Sequence, residues 1–199
     1  MIDYSEKIIG IVRAPSSEEA VELARALIDA GIKNLELTMT IPDSFSVVEK
    51  FAGTSGVTVG LGTVLQVSDV ERAKNAGAEF IVAPSVSAEV IMESKRLGLY
   101  SMPGVATATE VANALAAGAD ALKLFPASTY GASHLKSLRD PFPGNTWVAT
   151  GGVTESTVGE WIKAGVNALG LGGPLTSGGV GEVAGRVKAF QQAISRASL

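Results

Sequence analysis

The sequence predicts an α/β protein, a (β/α)8 TIM barrel formed by one domain over residues 1–199. Three observations carry the barrel. Short β-branched or apolar runs alternate with helical patterns eight times along the chain. Ala-Gly joints recur just before the strands, at Ala30-Gly31, Ala76-Gly77, Ala117-Gly118 and Ala164-Gly165. No low-complexity linker or break in composition divides the chain. Strict β-α alternation implies parallel strands with right-handed crossovers. Eight units favour a closed barrel over a flavodoxin-like open sheet. At 199 residues the chain is at the short end of the barrel range, so its loops are expected to be brief, with no large lid.

The elements follow in order. Ile8 to Arg13 reads as the first strand. Ser16 or Ser17 caps the next helix, with Glu18 and Glu19 in its first turn, Ala20, Val21, Ala24, Leu27 and Ile28 as its apolar face, and Gly31 at its end. Asn34 to Leu37 is a second strand, and Pro42 is expected to open a helix running toward Gly53. Val57 to Val59 is the third strand, followed by a helix from Ser68 to Ala76. Phe80 to Ala83 and Leu99 to Met102 are the fourth and fifth, with helices near 87–97 and 109–117 after them. Ala121 to Phe125 is the sixth. Trp147 to Ala149 is the seventh, followed by a helix from about Thr154 to Ala164. Ala168 to Leu171 is the eighth, before a final helix near 180–195.

Composition narrows the function. Hydrophobic residues make up 46% and charged residues 18%, as in a globular protein with a sizeable core. The net charge of −4, without a basic run, argues against a dedicated nucleic-acid surface. No apolar stretch approaches a membrane-spanning length, and the first residues lack a secretory pattern, so a cytoplasmic protein is expected. With no cysteine there is no disulfide, thiolate chemistry or Cys-based metal site, and a single histidine, His134, rules out multi-histidine metal sites.

The most informative stretch is Ala121-Leu122-Lys123-Leu124-Phe125-Pro126, a lysine inside an apolar strand. Burial disfavours the ammonium form, and a free amine attacks carbonyls to form a Schiff base. A lysine snorkelling to solvent is the plain alternative. Glu36, between Leu35 and Leu37, repeats the pattern. Strand side chains alternate, so if the leucines face the helices, Glu36 and Lys123 both face the barrel interior. The pair is then either a structural ion pair or an amine nucleophile with its general acid/base, a combination suited to aldol chemistry on a keto acid.

Active sites of such barrels lie at the C-terminal strand ends. The polar or turn-forming residues there are Arg13, Glu36 with Thr38, Gly62 with Thr63, Pro84, Pro103, Lys123, Thr150 with Gly151-Gly152, and Gly172-Gly173. Paired glycines after the seventh and eighth strands let backbone N–H groups approach a phosphate, with the helix from Thr154 adding its positive end; tight turns without a ligand are the alternative. Arg13 offers a bidentate contact to a substrate carboxylate or an ion pair with Glu36 or a neighbouring acid. Thr63 holds a carboxylate or caps a helix. His134, on a short helix with Leu135 and Leu138, reads as a surface or packing residue and not a catalyst, and Asp120 reads as turn chemistry.

With these residues assembled, the chain resembles the 2-keto-3-deoxy-6-phosphogluconate / 4-hydroxy-2-oxoglutarate aldolase family. The resemblance runs from Ile11-Val12-Arg13 to Gly172-Gly173. It is strongest at Leu35-Glu36-Leu37-Thr38, Gly60-Leu61-Gly62-Thr63-Val64-Leu65, Met102-Pro103-Gly104-Val105, Ala106-Thr107-Ala108-Thr109-Glu110, Leu122-Lys123-Leu124-Phe125-Pro126-Ala127 and Ala149-Thr150-Gly151-Gly152-Val153. It implies a class I aldolase, a homotrimer, with no metal and no cofactor. Lys123 is then the Schiff-base lysine and Glu36 the general acid/base. Thr63, Pro84 and Phe125 line the pyruvate pocket, and Gly151, Gly152, Gly172 and Gly173 form the phosphate turns. The implied substrate is a phosphorylated keto acid cleaved to pyruvate and glyceraldehyde 3-phosphate, with 4-hydroxy-2-oxoglutarate as a further substrate. Two positions depart from the family. Thr40 stands where many members carry a carboxylate-binding arginine, which leaves Arg13 for that role. Gly173-Pro174 replaces a serine of the last phosphate turn. The run 106–110 resembles the 2-keto-3-deoxy-6-phosphogalactonate branch, whereas Thr150 before Gly151-Gly152 resembles the gluconate branch, which is favoured here. Phosphosugar isomerases and thiamine-phosphate-synthase-like barrels, a metal-dependent pyruvate aldolase and a non-catalytic phosphometabolite-binding barrel are the rival readings.

Overall fold

In the computed structural model, which describes residues 2–198, nine strand segments form one all-parallel sheet. They are β1 (Ile8–Val12), β2 (Asn34–Thr38), β3 (Thr58–Gly62), β4 (Phe80–Val82), β5 (Tyr100–Met102), β6 (Gly104–Val105), β7 (Leu122–Leu124), β8 (Trp147–Thr150) and β9 (Ala168–Leu171). Their order is β5-β4-β3-β2-β1-β9-β8-β7-β6. The two outermost segments are one run of chain interrupted at Pro103, so the sheet closes on itself as a barrel. The expected fifth strand, Leu99 to Met102, is thus present as β5, and β6 continues it past Pro103. Proline has no N–H to give to a ladder. On one side of it Met102 O accepts from Ala83 N at 3.2 Å, and on the other Pro103 O accepts from Lys123 N at 3.0 Å. β3 runs past the expected Val59 to Gly62, which brings both Gly60 and Gly62 into the wall.

Nine helices cover the barrel among the described residues: α1 (Ser17–Asp29), α2 (Ser44–Phe51), α3 (Val67–Asn75), α4 (Ala88–Arg96), α5 (Ala108–Ala116), α6 (Ala127–Arg139), α7 (Val158–Ala164), α8 (Gly173–Thr176) and α9 (Val180–Ala197). Ser16 caps α1, its side chain accepting from Glu19 N. Four stretches differ from the sequence reading. α2 begins at Ser44, not Pro42, because the Pro42 carbonyl accepts the Ser17 hydroxyl at 2.6 Å and Asp43 turns left-handed at φ 51°. α7 begins at Val158, not Thr154, because residues 154–157 form a turn closed by Thr157 N to Thr154 O at 3.0 Å. Its positive end is therefore four residues further along the chain than expected. Between β7 and β8 the sequence marks only a short helix around His134, whereas α6 starts at Ala127 and is broken at Gly131 (φ 79°, ψ 166°). The one-turn α8 was not expected at all; Pro174 sits in its first turn.

The core has two parts, set by strand alternation. Ile8, Val12, Leu35, Leu37, Leu122, Leu124, Trp147 and Ala149 face outward into the layer shared with the helices. Ile9, Phe80, Val82, Met102, Val148 and Ala168 fill the barrel interior. Ile2 joins that interior cluster, and Tyr4 packs against it with its hydroxyl 3.0 Å from that of Tyr100. The Asn34 amide holds the same segment by accepting from Asp3 N at 2.9 Å and donating to Asp3 O at 2.6 Å. The N-terminal segment thus plugs the bottom of the barrel, and the interior opens at the C-terminal strand ends. Inside, Phe80 lies over Gly60, where a β-carbon would fall 2.3 Å from the ring. Gly60→Ala should therefore lower stability by about 1–3 kcal/mol in urea unfolding. Gly159→Ala, in open space on α7, should leave stability unchanged or raise it by about 0.5–1 kcal/mol.

Candidate active site

Glu36 sits at the centre of β2 and Lys123 at the centre of β7, each flanked by outward-facing leucines. Both are buried, with 3% and 6% of their surface exposed. The alternation rule therefore holds, and both side chains enter the barrel. Among the described residues no hydrogen bond or ion pair joins them, so the pair is not a structural salt bridge. Nor is either head group sealed off without a partner: among the described residues the fully buried, unpartnered side-chain polar atoms are Trp147 Nε1 and Arg186 Nε. The Glu36 carboxyl lies against the bare face of Gly62, where a β-carbon would come within 2.0 Å of Oε1. Gly62 therefore serves the site by having no side chain. The Lys123 Nζ stands 4.9 Å from the centroid of the Phe125 ring.

Burial dominates the electrostatics. It pushes the Glu36 carboxyl up from its ordinary value, against the opposing pull of Lys123 and Arg13. It pushes the Lys123 amine down, and the Arg13 charge acts in the same direction while Glu36 opposes. A lysine–glutamate pair holds the same number of protons as an ion pair or as neutral amine with neutral acid. Desolvation works against both charges, so the free amine of Lys123 is more accessible than that of a lysine in water.

Beside the pair, a cavity of about 510 Å³ opens over β1, β8 and β9. Of the sequence-derived residues, Arg13, Phe125, Thr150, Gly151, Gly152, Gly172 and Gly173 line it. Lys123 and Glu36 stand outside this lining, deeper in the barrel, and Phe125 is shared between the amine and the cavity. Thr150 is buried and leans over Gly170, the position of whose missing β-carbon is 2.2 Å from the Thr150 hydroxyl. Gly151 and Gly152 have φ of 94° and 77°, a left-handed turn that a side chain strains. Thr63 and Pro84 lie at the ends of β3 and β4, away from this cavity lining. Thr63 is held at φ 63°, uncommon for a β-branched residue and found most often where a site imposes it. The Pro84 carbonyl crosses the bare face of Gly104.

The structure also places residues that the sequence reading missed. Thr176, Ser177, Gly178 and Gly179, at the end of α8 and beyond, complete the cavity wall. A serine hydroxyl near Gly173 is thus present, from a later position than the expected turn. Its only sequence signal was the Ser-Gly-Gly run after Pro174. His134 is a packing residue, as read: its ring nitrogen lies 2.7 Å from Ala106 O and its ring stacks on Tyr130. Asp120 accepts from Ser101 N at 2.8 Å and pairs with Lys95. Among the described residues no three His, Asp or Glu side chains gather as a metal site, and no helix is long and apolar enough to cross a membrane.

Known proteins are similar to this chain in sequence and fold. Residues 3–183 match the sequence model of the KDPG and KHG aldolase family. The chain belongs to that family. It is accordingly an aldolase, a lyase acting on a pyruvate-derived keto acid. It is 35% identical over 196 residues, 94% of this chain and 96% of the relative, to the 2-dehydro-3-deoxy-6-phosphogalactonate aldolase of Escherichia coli strain K12. It is 34% identical over 158 residues, 78% of this chain and 75% of the relative, to the 2-dehydro-3-deoxy-phosphogluconate aldolase of Treponema pallidum strain Nichols. The solved native KDPGal structure superposes with a TM-score of 0.89 at 35% identity, covering 96% of this chain and 95% of that one. The KDPG aldolase of Legionella pneumophila, solved with pyruvate captured at low pH as a covalent carbinolamine intermediate, superposes with a TM-score of 0.80 at 25% identity, covering 98% of this chain and 95% of that one.

The electrostatics of this aldolase give a test with opposite signs. A small neutral acylating reagent should modify Lys123 with a half-maximal rate at lower pH than it does a lysine in a free peptide, read by peptide mass. Arg13→Gln removes a charge that holds the amine down, so the midpoint should rise. Glu36→Gln removes a charge that holds it up, so the midpoint should fall. Shifts in the same direction would contradict the assignment of both charges.

Proposed function

We propose that this aldolase works through a Schiff base on Lys123 and cleaves 2-keto-3-deoxy-6-phosphogluconate to pyruvate and glyceraldehyde 3-phosphate, with 4-hydroxy-2-oxoglutarate as a further substrate. The observation that carries the reading is a desolvated amine and a desolvated carboxyl group in one barrel mouth, unpaired and next to a cavity of substrate size. The neutral Lys123 amine attacks the C2 ketone to give a carbinolamine. Glu36, acting through water, moves the protons that let hydroxide leave as water and the iminium form. It then accepts the C4 hydroxyl proton. The C3–C4 bond breaks, its electron pair passes into the iminium to give the enamine, and the aldehyde departs. Protonation at C3 and addition of water release pyruvate and restore the amine. The sequence so written needs neither a metal nor a cofactor.

In this reading Arg13 takes the keto-acid carboxylate, and Thr63, Pro84 and Phe125 shape the pyruvate pocket. The turns Gly151-Gly152 and Gly172-Gly173 take the distal phosphate with their backbone N–H groups, joined by the Ser177 region at the end of α8. A short helix after the eighth strand is a usual companion of such a phosphate site. Two sequence signals for the C4 epimer conflict, and their placement weighs them. The run 106–110 is an α5 capping box: Thr107 Oγ1 accepts from Glu110 N, and the Glu110 carboxylate accepts from Ala106 N and Thr107 N, each at 2.8 Å. A helix cap explains that run without a sugar contact. Thr150, the gluconate-type signal, faces the cavity, which supports the gluconate epimer. A homotrimer and a cytoplasmic location belong to the same reading and rest on the family resemblance.

Pyruvate release from the two C4 epimers tests the proposal. The wild-type protein should favour the gluconate epimer in kcat/KM, and a preference for the galactonate epimer would move it to the other branch. Lys123→Ala should remove nearly all cleavage, and Glu36→Gln should slow turnover by about 10²- to 10⁴-fold, the loss typical of a general acid/base. Near-normal turnover in either variant would overturn its role.

A further inference from the structure

The Arg13 guanidinium is exposed at the end of β1, on a long side chain that needs an anchor to act as a carboxylate ligand. The anchor comes from the loop after β2. Arg13 Nη1 donates to Thr40 Oγ1 at 3.0 Å. Thr40 Oγ1 lies 2.8 Å from Thr38 Oγ1, and Thr38 Oγ1 donates to Val12 O at 3.1 Å. Each hydroxyl has one proton, so the direction of the whole chain is fixed. Thr38 spends its proton on the Val12 carbonyl and must accept from Thr40. Thr40 then has its lone pairs free for Arg13. The relay runs one way, from guanidinium to Thr40 to Thr38 to the β1 backbone, one residue before Arg13 itself.

The relay is rigid at its base. Thr38 is fully buried. Ile41 N closes a turn onto Thr38 O at 3.0 Å, Met39 N donates to Gly62 O at 2.8 Å, and the buried Ile41 side chain pins the far end. Thr40 is thus held between two fixed points, and Arg13 is tied to the strand that carries Glu36. The guanidinium acts electrostatically on both Glu36 and Lys123, and Arg13 lines the cavity that Phe125 shares with the Lys123 amine.

We propose that Thr40, backed by Thr38, is the positioning residue that sets the Arg13 guanidinium for the carboxylate of the keto-acid substrate. Arginine has many rotamers, and an untethered one must be ordered by the substrate itself on binding. The relay orders it in advance. Its loss should therefore weaken binding and leave the chemistry on Lys123 alone. This inference rests on Arg13 being the carboxylate ligand, and the experiment separates the two.

Steady-state pyruvate release is measured for the wild type, Thr40→Val, Thr40→Ser, Arg13→Gln and the double variant Arg13→Gln/Thr40→Val, with thermal melting to confirm that each is folded. Valine keeps the shape of threonine and removes the acceptor. Thr40→Val should raise KM by about tenfold with kcat changed less than about twofold, as for loss of a hydrogen bond to a charged group. Thr40→Ser should restore the wild-type KM. Arg13→Gln should raise KM further, and adding Thr40→Val to it should change nothing more, because the two act through one group. A wild-type KM in Thr40→Val, with Arg13→Gln still impaired, would overturn the positioning role alone. A wild-type KM in Arg13→Gln would overturn the Arg13 assignment and the positioning role with it. Additive effects in the double variant would show that Thr40 acts by another route and would also overturn the proposal.

Discussion

An amine and a carboxyl group held inside an apolar barrel set the terms for the rest of this molecule. Desolvation disfavours both charges, and an amine shifted toward its free form is a nucleophile. The surrounding structure is arranged to hold that pair apart and open. Gly62 makes room for the Glu36 carboxyl, the outward leucines of β2 and β7 lock both strands into the helical layer, and the N-terminal plug shuts the opposite end of the barrel. A direct ion pair would satisfy the two groups and silence them. Among the described residues none forms between them.

The site divides into a deep part and a rim. The deep part holds Glu36 and Lys123, fixed by strands. The rim, from Arg13 through Thr150 and the two glycine turns to Ser177, surrounds the cavity and is built from strand ends and short loops. Phe125 joins them, touching the amine on one side and the cavity on the other. Such a division suits a reaction in which one end of the substrate is bonded covalently and the other is only held. Gly173 and Pro174 both lie on that rim.

Much of this is legible in the sequence because alternation in strands is a strong local signal. A charged residue between two leucines, at Glu36 and again at Lys123, has one placement that buries the leucines against helices, and the structure adopts it. The Ala-Gly joints likewise marked where helices end. What the sequence did not reveal depends on non-local bonds. Pro42 has the chemistry of a first helical residue, but Ser17 takes its carbonyl from across the structure. Residues 154–157 read in the sequence as the start of a helix, but the Thr157 hydroxyl closes a turn with Thr154 instead. The four-residue α8 is too short to leave a periodicity, so the Ser177 region escaped notice although it completes the cavity. Pro103 was read as a strand end, and its effect on the ladder emerged only once its two neighbours, β4 and β7, were in place.

The central claim is that Lys123 is the nucleophile. Incubation with pyruvate and borohydride, followed by peptide mass mapping, tests it most directly. A reduced pyruvate adduct on the peptide carrying Lys123, absent when pyruvate or borohydride is omitted, is the result this account predicts. A folded protein that binds pyruvate but yields no adduct, or yields one on another lysine, would contradict it.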